Sequence, residues 1–354
     1  TDMFQEALKE LQYISTQVGL PIEYTQGGGG NTSVKLNEEL MAVKASGFKL
    51  KQINPKEGYV VVNYKNIMEF YNNVDLSLDR DYEKESTEFA KANVVEMEGL
   101  KKLRPSVEAG FHSILLKYVI HTHPVYANIV CCTHKGRELM NEIFKNVDFG
   151  FVWIPYINPG FSLTLRIKKA VHDYLNENDK FPQVIFMENH GLITTADNPR
   201  ECLDLHQRVN DMIKTHFGIA ETYPKIELDK LDENKYVSRT EYLKIYLKAN
   251  KIGLDFFDRN VLYPDQLVYL NENISLGGMD NKLNINTETG EIIYLTNESE
   301  AQTMEETLLA CIYVIDNINR LGLPLKSMTA EEIDFIKNWE SEAYRKSLVK
   351  SLKK

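Results

Sequence analysis

An α/β layered fold is predicted from three features of the sequence. Helical and strand periodicities are interleaved along all 354 residues. Several of the strands are joined by short turns, which favours layers with antiparallel pairing over a purely parallel sheet. Hydrophobic residues make up 43% and charged residues 26% of the chain, an ordinary globular mix. That length accommodates one large domain, or a main domain with a smaller one beside it.

The elements follow in order. Residues 3–18 carry Phe4, Leu8, Leu11 and Ile14 at steps of three and four, the spacing of an amphipathic helix. Residues 26–36 form a glycine loop that runs into a short strand. A second strand over 40–44 closes at Ala45-Ser46-Gly47, and the β-branched run 58–64 gives a third. The charged stretch 75–103 has a helical pattern and reads as a solvated connection. A helix opens at Ser106, with Val107, Gly110, Phe111, Ile114 and Leu115 as its buried face. Residues 118–123 are a strand stopped by Pro124, whose alternation places Val119, His121 and His123 on one face and Ile120 and Thr122 on the other. The strand 183–187 pairs with 192–195 across the turn 188–191. Asn198, Pro199 and Glu201 supply the cap, first position and first-turn acid of a long helix. Apolar periodicity weakens over 223–234, so a boundary is placed there, giving domains 1–224 and 225–354. The second is expected to be a small α+β extension. It would hold a strand at 266–270, a hairpin over 283–295 turning at Gly290, and helices near 298–320 and 329–352.

The formal charge of −10 argues against a nucleic-acid binder, which usually shows a basic stripe, although a few local donors can still hold one phosphate. None of the four cysteines (131, 132, 202 and 311) has CxxC spacing, so buried free thiols in a reducing cytoplasm are expected. The first residues show no basic and apolar leader, and no apolar run approaches the roughly 18 residues that span a bilayer. A cytoplasmic chain without a membrane partner is the expectation.

Chemistry concentrates in a few places. His121 and His123 share one strand face, the arrangement of a metal-binding pair or of two polar residues at a strand end. His190 lies in Asn-His-Gly after another strand, where Gly191 permits close backbone approach. Three converging imidazoles would leave an open coordination position, the pattern of a catalytic site. Glu108 is a metal ligand, a general base, or an acid favoured by a helix N-terminus. His112, one helical turn on, reads as a buried, hydrogen-bonded residue. The glycines 27–30 precede a strand rather than open a helix, which excludes a dinucleotide fingerprint. Their N–H groups, with Ser46, Gly47 and Ser106, could cradle a phosphate or simply make turns and caps.

In order, the blocks GGGNTSVKL (28–36), VKASG (43–47), RPSVEAGFH (104–112), HTHP (121–124), IPYINPG (154–160) and ENHGLIT (188–194) resemble the class II aldolase/adducin family. The RPSVE and HTHP blocks are most similar to the aldolase half of rhamnulose-phosphate aldolase/dehydrogenase fusions. No GxGxxG strand–helix unit follows them here. LYPDQLVYL (262–270) and NWESEAYR (338–345) resemble the C-terminal extension of long members. The resemblance implies a three-layer α/β/α sandwich with a mainly antiparallel central sheet, assembled as a homotetramer. It implies His121, His123 and His190 as ligands of Zn2+ or another divalent metal such as Mn2+, Fe2+ or Co2+. Glu108 matches the catalytic acid/base, which can also touch the metal, and Gly30, Asn31, Ser46, Gly47 and Ser106 match a substrate-phosphate pocket. The implied reaction is reversible cleavage of a ketose 1-phosphate, the small-molecule partner, to dihydroxyacetone phosphate and an aldehyde. The same scaffold also serves sugar-phosphate 4-epimerases, decarboxylases and dehydratases, and adducin-like interaction modules that lack the metal histidines.

Overall fold

The computed structural model describes residues 4–339. Its larger sheet has eight strands: β1 (Asn31–Lys35), β2 (Leu40–Lys44), β3 (Tyr59–Asn63), β4 (Val94–Val95), β5 (Tyr118–Thr122), β6 (Phe151–Ile154), β7 (Val184–Met187) and β8 (Gly191–Ala196). Their order is β4-β3-β2-β1-β5-β8-β7-β6, and every pairing except β6 with β7 is antiparallel. The mainly antiparallel sheet implied by the sequence is present.

Helices flank both faces. The first eight are α1 (Gln5–Gly19), α2 (Tyr64–Asn72), α3 (Tyr82–Ala92), α4 (Ala109–Ile114), α5 (Val125–Cys131), α6 (Gly136–Ile143), α7 (Phe161–Glu177) and α8 (Pro199–His216). Leu8, Leu11, Ile14 and Val18 of α1 and Cys202 of α8 pack with Val34, Ala42, Tyr118 and Ile120 on one side. Phe111 of α4 and Leu163 and Ile167 of α7 pack with Val119, Ile185 and Ile193 on the other. The alternation of β5 is therefore as its sequence predicts, and burial of both faces fixes its register. The expected cap of α8 also forms, Asn198 Oδ1 accepting from the N–H groups of Arg200 and Glu201.

The remaining chain builds a five-stranded sheet, β11-β12-β13-β10-β9, from β9 (Leu228–Asp232), β10 (Lys235–Ser238), β11 (Ile274–Leu276), β12 (Leu283–Ile285) and β13 (Ile292–Tyr294). With it come α9 (Glu241–Ala249), α10 (Phe256–Arg259), α11 (Pro264–Tyr269), α12 (Glu298–Arg320) and α13 (Ala330–Lys337). The hairpin β12–β13 turns at Gly290 as expected. Nearly every residue of α12 from Ala301 to Ile318 is buried, as in a helix enclosed on all sides. It packs on α5, α9 and α11, and one continuous core joins it to α5 and α8. Buried Glu305 fastens it to the smaller sheet, accepting from Tyr294 Oη at 2.7 Å and Thr240 Oγ1 at 2.9 Å.

Several local expectations are corrected. Residues 266–270 are not a strand. Pro264 pre-sets the first turn of α11, and all six of its residues are buried, so a short helix carries the uniform apolar signal of a core strand. The stretch 75–103 contains only one helix, α3, followed by the edge strand β4. The helix expected at Ser106 begins at Ala109. Of the terminal helix expected over 329–352, α13 is present, and positions from 340 lie outside the described residues. All four cysteines are free and buried. Among the described residues no helix is long and apolar enough to cross a membrane.

Candidate metal centre

Adjacent strands bring the three histidines together. Asn31 opposes His121 across β1–β5, and Ile193 of β8 opposes it on the other side. The β7–β8 turn, residues 188–190, therefore comes to the end of β5. A Cβ at Gly191 would lie 2.3 Å from Thr122 O and 2.9 Å from the His123 ring, so glycine is what lets this turn close on β5. His123 continues beyond the strand, its N–H donating to Tyr24 O at 2.9 Å.

His121, His123 and His190 form a buried group whose ligand atoms all lie within 4.8 Å of one another. The Nε2 atoms of His121 and His123 are 3.2 Å apart. Two nitrogens bound tetrahedrally at ~2.0–2.1 Å would be about 3.4 Å apart, so this spacing fits a shared ion. His121 Nδ1 donates to Leu192 O at 3.0 Å, which leaves Nε2 with its lone pair. Glu108 lies beside this group, with Oε1 3.2 Å from His121 Nε2 and Oε2 3.2 Å from His190 Nε2. Oε2 is buried without a hydrogen bond. Three converging imidazoles are a donor set able to hold a divalent ion.

Burial opposes ionisation of Glu108, but the facing His121 and His190 outweigh it and hold its carboxyl well below the usual carboxylate range. Asn31 Nδ2 donates to Oε1 at 2.9 Å, while Asn31 Oδ1 accepts from His112 Nε2. His112 Nδ1 in turn accepts from Ser33 Oγ at 2.6 Å. Burial, joined by repulsion from His121, pushes the His112 imidazole well below its ordinary value, so the ring is neutral. It is the buried, hydrogen-bonded residue that the sequence suggests, and it helps orient Asn31.

The five residues matched to a phosphate pocket do not surround one void. Gly30 and Asn31 line a void of about 20 Å³ beside Glu108, His123 and His190, enough for an ion or a water. Ser46 and Ser106 line a neighbouring cavity of about 810 Å³ together with Arg104 and Tyr71, and Val107 and Trp339 border both. Gly47 lines neither; it turns the chain after β2 with φ of 90°.

Sequence reasoning missed the residues supplied from beyond position 224. Asp265 of α11 brings Oδ2 within 3.0 Å of His123 Nδ1. Lys326 Nζ donates to Asn189 Oδ1 at 2.9 Å, beside His190. The single acid in the mainly apolar stretch 262–270, next to Gln266, was the available signal for Asp265.

Residues 22–217 match the model of the class II aldolase and adducin N-terminal domain. A curated relative, the uncharacterized oxidoreductase YuxG of Bacillus subtilis, is 29% identical over 246 residues, covering 64% of this chain and 33% of YuxG. The chain thus spans about a third of that relative's length. Among solved structures, the N-terminal class II aldolase domain of a conserved Thermoplasma acidophilum protein is similar at 24% identity and a TM-score of 0.49. The match covers 59% of this chain and 92% of that one. YgbL of Klebsiella pneumoniae, described as a putative aldolase/epimerase/decarboxylase, is similar at 17% identity and a TM-score of 0.42, covering 61% and 91%.

Proposed function

Because this chain belongs to the class II aldolase and adducin family, we propose that it is a metal-dependent aldehyde-lyase. Its reaction is the reversible cleavage of a ketose 1-phosphate to dihydroxyacetone phosphate and an aldehyde. The observation that carries this reading is the buried convergence of three imidazoles with a carboxylate 3.2 Å from two of them. His121, His123 and His190 would hold the divalent ion, with Glu108 beside them. When bound, the ion supplies Lewis acidity towards the ketone and adjacent hydroxyl oxygens of the substrate.

The protein's own groups do the rest. As the carbon–carbon bond breaks, its electron pair stays with the dihydroxyacetone phosphate fragment. The hydroxyl on the other carbon gives up its proton as it becomes the aldehyde carbonyl. Glu108, ionised at the outset, takes up one proton and delivers it to the carbon that keeps the pair. A positioned acid or base contributes roughly 10²–10⁴-fold. Asn31, fixed by His112, aims Oε1 of that carboxylate. Phosphate binding is assigned to Gly30, Asn31, Ser46, Gly47 and Ser106. For Ser46 and Ser106 this is supported by the large cavity they line with Arg104, which offers room and donors beside a metal pocket too small for a whole sugar phosphate.

Incubation with dihydroxyacetone phosphate and a panel of aldehydes should yield ketose phosphates. Interconversion of pentulose phosphates without condensation would instead identify a 4-epimerase. Glu108→Gln should keep the metal and lower turnover by about 10²-fold or more; undiminished turnover would remove Glu108 from its role.

A further inference from the structure

We infer that Asp265 is a positioning residue of the metal centre, orienting the His123 ring through Nδ1 so that Nε2 faces the ion. The inference rests on the metal reading above and gives part of the chain beyond residue 224 a place in that site.

His123 presents its two ring nitrogens to different groups. Nε2 lies 3.2 Å from the Nε2 of His121, on the side where the ligand atoms converge. Nδ1 lies 3.0 Å from Asp265 Oδ2, and both side chains are more than nine-tenths buried. A carboxylate facing Nδ1 favours the tautomer protonated there, which leaves the lone pair on Nε2. At His121 the corresponding nitrogen donates to the backbone carbonyl of Leu192 in a hydrogen bond, whereas at His123 the Asp265 carboxylate lies against Nδ1 at ion-pair distance.

The surroundings are shaped to deliver this acid. Asp265 lies in the first turn of α11, begun by Pro264. Gln266 clamps that turn, accepting from Leu262 N at 2.9 Å and donating to Asn260 O at 3.0 Å. Opposite stands the glycine loop. A Cβ on Gly29 would lie 2.4 Å from Asp265 Oδ2 and 3.0 Å from His123 Nδ1, so this position must be bare for the carboxylate to reach the ring. The loop also docks on α12, Gly27 N–H donating to Glu306 Oε1 at 3.0 Å. A buried carboxylate is costly to desolvate unless it is paired, which gives Asp265 a reason to be held against an imidazole.

Two measurements test the assignment. Chelator competition would give the Zn2+ affinity of the full chain and of the near-isosteric Asp265→Asn, and Co2+ loading would give the visible spectrum of each. The variant should bind Zn2+ about 10–100-fold more weakly, with altered Co2+ bands. Long-range 1H–15N spectra of the Zn2+-loaded wild-type chain, which need no variant, should show His123 protonated at Nδ1. Equal affinity with an unchanged Co2+ spectrum, or a proton on Nε2 of His123, overturns the inference alone. Failure of the wild-type chain to bind either ion overturns the metal reading with it.

Discussion

Thr122 separates the two strand histidines and points away from them, towards α8, where its Oγ1 meets His206 Nε2 at 2.6 Å. Burial pulls the His206 imidazole down to about 3. Its ordinary value in an unfolded chain is about 6.5, so between about pH 3 and 6.5 the unfolded chain binds a proton that the folded one refuses. Stability is then lost as pH falls through this window, by up to about 1.4 kcal/mol per pH unit from this residue. His206→Gln should flatten the acid limb of a stability–pH profile by one proton, read from denaturant unfolding at each pH. An unchanged slope would show that His206 is not the group responsible. The alternation of β5 was legible in the sequence because both faces of the strand are apolar apart from these residues. The acceptors that orient each ring were not. Leu192 reaches His121 only through the β5–β8 register, and Asp265 reaches His123 only through tertiary packing.

At the scale of elements, the β7–β8 turn decides where His190 goes. Asn189 adopts a left-handed conformation, φ 52°, one of the few that a non-glycine residue with a short polar side chain tolerates. Its Nδ2 donates to the carbonyls of Leu262 and Lys326, each at 2.8 Å, and its Oδ1 accepts from Lys326 Nζ. Lys326 also lies 3.2 Å from Glu188, tying both residues that precede the ligand to the chain after α12. Lys326→Met should leave a buried carbonyl oxygen without its donor and lower stability by about 1–3 kcal/mol. Equilibrium unfolding would measure this, and a midpoint equal to wild type would contradict the bracing role. The turn itself was legible from Asn-His-Gly between two strands. Helix α11 was not, because six uniformly buried residues carry no periodicity that distinguishes helix from strand.

At the scale of the whole molecule, one core runs from α5 and α8 through α12 to the smaller sheet. The boundary expected near residue 224 precedes the first strand of that sheet at Leu228, yet contacts important to the metal site cross it at Asp265, Glu306 and Lys326. The layered fold and the three histidines could be read from blocks of local sequence. The enclosure of the site could not, because it depends on distant segments meeting across that core. The most direct test of the central claim is the metal content of the purified full chain and of His121→Ala, each loaded with Zn2+ and freed of excess. One equivalent of ion per wild-type chain, lost in the variant, is the expected result. No stoichiometric ion in the wild-type chain, or full retention in His121→Ala, would contradict it and favour an interaction module on this scaffold.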